Sequence, residues 1–225
     1  MDYFESTFLH NIYLDPRIRN SILSRREGDP NWWRVYGEGK TGIKEGLIYT
    51  NWKQSAYYPQ NVDSEWYGLD FGFTNDPTSL VKTCTQGGEI WAHEMFYEIG
   101  MTNKDISDRM ELVGLLKGES EIIADSAEPK SITELRQRGW IIRGVSKGPD
   151  SVNKGIDVVK QYPLNVTSES VNIIKELRNY KWEQDKITGK FLNIPIDAFN
   201  HALDALRYGC MTKLGRRSFA MEQEN

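Results

Sequence analysis

Three aspartates stand in company that a solvated acid does not keep. Asp70 sits inside the apolar run Trp66-Tyr67-Gly68-Leu69-Asp70-Phe71-Gly72-Phe73, which ends in the turn-forming Asn75-Asp76-Pro77. Asp125 ends the run Ile122-Ile123-Ala124, and Asp204 lies in the helix-patterned Asn200-His201-Ala202-Leu203-Asp204-Ala205-Leu206-Arg207-Tyr208. A carboxylate in apolar surroundings is costly unless it is paired or holds a metal. Read together, the three make one metal site. An all-carboxylate set suits a hard cation such as Mg2+ or Mn2+, whereas Zn2+ favours His and Cys. Two such ions ~4 Å apart activate a water and stabilise the leaving oxygen in phosphodiester cleavage.

Each acid also has a plainer reading on its own. A lone Asp at a strand end, as at Asp125, is commonly a turn or capping residue. Asp204 is spaced to pair with Arg207 on its own helix, and His201 has the setting of a core histidine. Asp197 is positioned to cap the last helix. The metal reading rests on the joint context, because Asp197, His201, Asp204 and Tyr208 recur every three or four residues and would share one helix face. Phe199, Ala202, Leu203, Leu206 and Cys210 supply the opposite, packing face.

The elements that must carry these residues can be read in order. Leu47-Ile48-Tyr49 reads as a strand, and the Asp70 run as a buried one. Ser79 to Thr83 and Glu89 to Phe96, joined by Gly87-Gly88, form a hairpin signal, so three antiparallel strands open the domain. Thr102-Asn103-Lys104-Asp105 has the form of a capping box opening a helix with Ile106, Met110, Val113 and Leu116. From Asp125 onward the pattern alternates. Pro129 starts a helix that Gly139 stops, Ile141-Ile142 is a strand, Val152 to Lys160 a helix, and Leu164-Asn165-Val166 a strand. Such alternation favours parallel strands with helical crossovers. A helix capped by Ser168 runs through Ile173, Ile174 and Leu177, and a hairpin joins Tyr180-Lys181-Trp182 to Lys190-Phe191-Leu192. The first forty residues differ, being punctuated by Pro16, Gly28, Pro30, Gly37 and Gly39, with a helix from Pro16 to Arg26 capped by Asp15. The tail after Gly215 reads as loose.

Composition sets the bounds. With 225 residues, 39% hydrophobic and 12% aromatic, the chain has material for one sizeable domain and an appendage. A formal net charge of -4 gives no global basic field, so contact with phosphates falls to a local patch or to metal ions. Cys84 and Cys210 are far apart and lack ligand spacing, which fits reduced thiols. No apolar run approaches the ~20 residues of a bilayer span, and Met1-Asp2-Tyr3-Phe4-Glu5 lacks the features of a signal peptide. The sequence therefore predicts a soluble, intracellular protein.

These strings, with Asp76-Pro77-Thr78 and Ala124-Asp125-Ser126-Ala127-Glu128-Pro129-Lys130-Ser131, resemble in order and spacing the nuclease domain of tailed-bacteriophage terminase large subunits. The resemblance covers residues 41 to 217. It implies an α/β, ribonuclease H-like fold, a mixed sheet of antiparallel hairpins followed by parallel strands and flanked by helices. The family's three metal-binding acids fall on Asp70, Asp125 and Asp204, and the histidine of one branch falls on His201. The implied activity is metal-dependent endonucleolytic cutting of concatemeric phage DNA during genome packaging, with two Mg2+ or Mn2+ ions. Asp70 would bridge the ions, Asp125 and Asp204 would complete their shells, and His201 would orient a ligand or water. Implied partners are double-stranded DNA, the portal, the small terminase subunit and the terminase ATPase, in the cytoplasm of the bacterial host and away from any membrane.

Residues 1–40 resemble the connector that follows the packaging ATPase, leaving 41–225 as the nuclease domain. No GxxxxGK[ST] loop occurs, so the chain is expected to be either a piece of a longer protein or the partner of a separately encoded ATPase. Lys130, Arg136, Arg138, Arg143, Lys147, Lys154 and Lys160 follow Asp125, as solvated helix faces or as guides for DNA. Lys147-Gly148-Pro149 stands out as a glycine-containing turn after a strand, where an amine and backbone can approach a phosphate, and Lys130 is the second DNA-contact candidate. Two other readings stay open: another ribonuclease H-like nuclease, such as a junction resolvase, and a docking module that binds portal or DNA without cutting.

Overall fold

The computed structural model describes residues 7–24, 26, 33–39 and 45–215; the expected loose tail after Gly215 lies outside them. They divide into two units after Glu45. In the first, helix α1 (Pro16–Ser24) starts at its proline, and Asp15 Oδ1 accepts from the Arg17 N–H at 2.7 Å. Pro in the first turn and an Asp before it are the combination that satisfies a helix start. The ring of Trp33 stands edge-on to Phe8, with the Arg26 guanidinium 5.5 Å from its centroid.

From Gly46 onward seven strands make one sheet. They are β1 (Trp52–Ser55), β2 (Ser64–Asp70), β3 (Pro77–Gln86), β4 (Glu89–Ile99), β5 (Glu121–Ala124), β6 (Ile141–Gly144) and β7 (Leu164–Thr167), in the order β1-β7-β4-β3-β2-β5-β6. The centre β2-β3-β4 is the expected antiparallel meander. Its β3–β4 turn uses Gly87 and Gly88 at φ 58° and 81°, a conformation only glycine adopts without strain. Parallel strands flank it on both sides, β5 and β6 beside β2, and β7 and β1 beside β4.

The connections are helical: α2 (Asn103–Leu112), α3 (Pro129–Gln137) and α4 (Ser151–Lys160), then α5 (Val171–Leu177), the hairpin β8 (Trp182–Gln184) and β9 (Phe191–Pro195), and finally α6 (His201–Lys213). The Thr102 capping box is formed in full. No helix among the described residues is long and apolar enough to cross a membrane.

Side-chain alternation along each strand splits the core in two. Leu69, Leu80, Phe96, Ile122 and Ala124 meet Ile106 and Met110 of α2 and Ile132 and Leu135 of α3 on one face. Trp66, Val81, Ala92, Ile123 and Val166 meet α4, α5 and α6 on the other. Since Trp66 and Gly68 face α6, the same alternation turns Asp70 toward that helix.

Five local expectations need correction. Leu47-Ile48-Tyr49 is not a strand: Leu47 makes a single bridge to Lys181, and Ile48 and Tyr49 are buried as core instead. α2 ends at Leu112, with Gly114 at φ 89°, so Leu116 lies beyond it and is 57% exposed. α5 follows Ser170 rather than Ser168, whose hydroxyl is turned to the Ser55 carbonyl at 3.1 Å. α6 starts after Asn200, which leaves Asp197 outside the helix, and Phe199, at φ 59°, is 38% exposed instead of packed.

Candidate metal centre

The site is built where strands end. Leu69 and Ala124 are partners in the parallel pair β2–β5, so Asp70 and Asp125 follow one another out of the same edge of the sheet. The third acid arrives on α6, and two glycines let that helix come close. A Cβ at Gly68 would meet the Ala205 carbonyl oxygen at 1.8 Å, and one at Gly209 would meet Trp66 Nε1 at 2.3 Å. Only Gly permits so close an approach at these two positions. Asp204, in the first turn of α6, is thereby carried over Asp70.

Each acid has its own partners. Asp70, 8% exposed, has its Oδ2 3.4 Å from His201 Nδ1, and the other ring nitrogen of His201 lies 3.6 Å from Asp76 Oδ1. Asp125 Oδ1 lies 2.5 Å from Lys147 Nζ and accepts from the Ala127 N–H at 2.8 Å, while its Oδ2 accepts from the Tyr208 hydroxyl at 3.1 Å. Asp204 Oδ1 is 2.8 Å from the buried Arg207 guanidinium. The Lys147 ammonium and the Arg207 guanidinium both lie over the Tyr208 ring, at 5.1 and 4.9 Å.

The acids feel one another. Burial pushes the Asp70 carboxyl up to about 6 against the pull of His201, and the charges of Asp204 and Asp125 push it further the same way. Burial also raises Asp204, with Arg207 opposing. At Asp125 burial is outweighed by Lys147, the Ala127 amide and Tyr208, which hold the carboxyl below the usual range. His201 is raised by the Asp70 carboxylate beside it, against burial. Partly dehydrated carboxylates that repel one another are the environment a divalent cation relieves. The donor set is oxygen-rich and fits Mg2+ or Mn2+ by type. Among the described residues no group of three His, Cys, Asp or Glu side chains is arranged to hold a metal ion; Asp125 is turned to Lys147 and Asp204 to Arg207.

The structure thus sets His201 beside Asp70 and leaves Asp125 and Asp204 near enough for their charges to act on it. Lys147 is there too, but bound to Asp125 rather than standing clear as a phosphate contact. Lys130 is exposed in the first turn of α3. Three other basic residues serve the scaffold: Arg136 donates to the Ile142 carbonyl at 2.7 Å, Arg138 pairs with Glu134 and Arg143 with Glu121. One buried acid beside the site escaped sequence reasoning. Glu176 of α5 is 1% exposed and accepts from the Leu203 N–H of α6 at 3.0 Å. Its signal was present, because an acid three residues after Ile173 and next to Leu177 falls on the apolar side of a helix.

Comparison with known proteins places the chain among relatives. The family described as "Terminase RNAseH like domain" matches residues 70–211, a stretch that starts at Asp70 and includes Asp125, His201 and Asp204. The large terminase subunit of Bacillus phage SPP1 is 30% identical over 223 residues, covering 92% of this chain and 50% of that protein. The PBSX phage terminase large subunit of Bacillus subtilis (strain 168) is 25% identical over 216 residues, covering 92% and 49%. The chain spans about half the length of these relatives. Among solved structures, the SPP1 large-terminase (g2p) nuclease domain with bound Mn superposes with a TM-score of 0.63 at 28% identity, covering 72% of this chain and 96% of that one. With that family matching well over half of its length, and with a seven-stranded mixed sheet flanked by helices, this chain belongs to the terminase ribonuclease H-like domain family.

Proposed function

We propose that the chain is the DNA-cutting module of a phage packaging terminase, hydrolysing phosphodiester bonds of double-stranded DNA at a divalent-metal site formed by Asp70, Asp125 and Asp204. The observation that carries this reading is the convergence of two acids from neighbouring strand ends with a third on a helix pressed down through Gly68. The Mn bound in the SPP1 nuclease domain supports the choice of metal. A divalent ion would polarise the attacking water and take up charge on the departing oxygen, and two ions would divide those tasks.

The protein's own groups do the rest. Asp70, which feels the charges of both other acids, would be the central ligand of the set. His201, between Asp70 and Asp76, orients a ligand or water. Arg207 and Lys147 offset the carboxylate charge, and the Lys147-Gly148-Pro149 turn, with Lys130, meets the DNA backbone. Residues 1–40 join this module to the packaging ATPase, and the portal, small subunit and bacterial cytoplasm complete the setting. The packaging setting draws on the two phage terminase large-subunit relatives. The test is nicking and linearisation of plasmid by the purified chain in Mn2+, in Mg2+ and in EDTA, beside Asp204→Asn. Cutting that needs the metal and falls by roughly a hundredfold or more in the variant is expected. A folded wild-type chain that neither cuts DNA nor binds Mn2+ would overturn the reading.

A further inference from the structure

The first turn of a helix presents N–H groups that need acceptors from outside the helix. In α6 that turn carries His201 and Asp204, yet the residue before it, Asn200, gives no side-chain cap. The acceptor comes from another helix. Glu176 Oε2 takes the Leu203 N–H at 3.0 Å, with the Ala202 amide adding to the same carboxylate, and Oε1 takes the Tyr97 hydroxyl at 2.9 Å. Among the described residues no basic side chain lies within ion-pair distance of Glu176, so its burial is not explained by a salt bridge.

Tyr97 leads back to the sheet. In the β2–β3–β4 register Asp70 is opposite Ser79, and Ser79 is opposite Tyr97, so all three occupy one row across the strands on one face. The Tyr97 ring stands edge-on to His201, with centroids 6.4 Å apart. Glu176 is itself held in place, because Glu94 of β4 accepts from the Asn172 and Ile173 amides at the start of α5 at 2.9 and 3.0 Å. A run of contacts therefore joins the strand row of Asp70 to the helix turn of His201 and Asp204, and Glu176 is the junction.

We propose that Glu176 is a positioning residue of the metal centre: by holding the first-turn amides of α6 and the Tyr97 hydroxyl together, it sets where Asp204 and His201 stand relative to Asp70. A carboxylate is suited to this because it accepts from both sides at once, and its negative charge favours a helix N-terminus. Leu at 176 would fill the space and leave the Leu203 amide without a partner. Gln would keep both contacts, its oxygen taking the Leu203 N–H and its NH2 group donating to the tyrosine oxygen.

The inference rests on the metal-centre reading, and one experiment separates the two. Mn2+ affinity is measured by titration calorimetry at a temperature where circular dichroism shows every variant folded, for wild type, Asp204→Asn, Glu176→Leu and Glu176→Gln. Removing a group that orients metal ligands costs about 10- to 100-fold in metal affinity. The expected result is a loss of that size in Glu176→Leu and recovery to within a few-fold of wild type in Glu176→Gln. Wild-type affinity in Glu176→Leu, even with a lowered melting point, overturns the proposal, because a merely structural role moves stability alone. If the Leu variant does not fold, Glu176→Asp decides. Its carboxylate is one methylene short, so weakened Mn2+ binding is expected and unchanged binding overturns the proposal. Wild type failing to bind Mn2+, or Asp204→Asn binding it as tightly, would instead remove the metal centre itself.

Discussion

The ion pair between Lys147 and Asp125 shows how one residue can be noticed in sequence and still be given an incomplete role. Its place in a glycine-containing turn after a strand pointed to a phosphate, and nothing in the local pattern disclosed that Asp125, twenty-two positions earlier, would take its ammonium at 2.5 Å. The three acids were conspicuous because each sat in an apolar run where an unpaired charge is costly. Their partners were less so, since Lys147 and Glu176 reach the site only through the sheet register and helix packing. An ammonium and a divalent cation compete for one carboxylate. Lys147→Ala should therefore tighten Mn2+ binding in the absence of DNA. The pair is about one third exposed on the lysine side, so its worth is up to ~1 kcal/mol and the gain up to about fivefold. Calorimetric titration decides the point, and weaker binding in the variant would mean that Lys147 organises Asp125 instead of competing for it. With DNA present, the same variant should lose about one unit of salt slope if the displaced amine reaches a phosphate.

At the scale of elements, most strand and helix types followed from period and punctuation, with Leu47-Ile48-Tyr49 an exception. The antiparallel meander, the capping box at Thr102, the parallel crossovers and the β8–β9 hairpin were all readable in advance. Helix starts were less so, because Ser168 against Ser170 and Asp197 against Asn200 are chosen by tertiary contacts, and the Asn200 start is satisfied by a carboxylate on another helix. The seating of α6 on β2 was also hidden, although its means were in view as Gly68 and Gly209. Gly68→Ala would drive a methyl group into the Ala205 carbonyl, a backbone atom that no rotamer change can move aside. Overpacking of this kind costs typically ~1–3 kcal/mol. Because the helix must retreat, Asp204 moves with it, so both the melting temperature and Mn2+ affinity should fall. Gly209→Ala meets the buried Trp66 ring instead, and it too should lower both. A Gly68→Ala protein with lowered stability and wild-type Mn2+ affinity would show that the helix seat and the site are independent.

For the molecule as a whole, the buried acids shape the dependence of stability on pH. Burial raises Asp70 to about 6 and Glu176 to about 7, and raises Asp204 as well. Between the ordinary carboxylate value near 4 and these raised values, the folded chain keeps protons that the unfolded chain has released. Stability must then decline as pH rises through that window. His201, raised by Asp70 before burial opposes it, acts in the same direction, whereas His93, lowered by burial, acts against it. Asp125 and Glu121 are held low by their lysine and other partners in spite of burial, so they lose their stabilising contribution only below about pH 4. Together these terms place the stability maximum of the protein in EDTA near pH 4, with a loss on the order of a few kcal/mol by pH 8. Urea unfolding at intervals from pH 3 to 8 measures it directly. Asp70→Asn and Glu176→Gln should each flatten the decline, and Mn2+ added at pH 7.5 should restore stability by binding only the folded site. Stability that instead climbs from pH 5 to 8 in EDTA would mean that the carboxylates around Asp70 are not held at the cost that their burial implies.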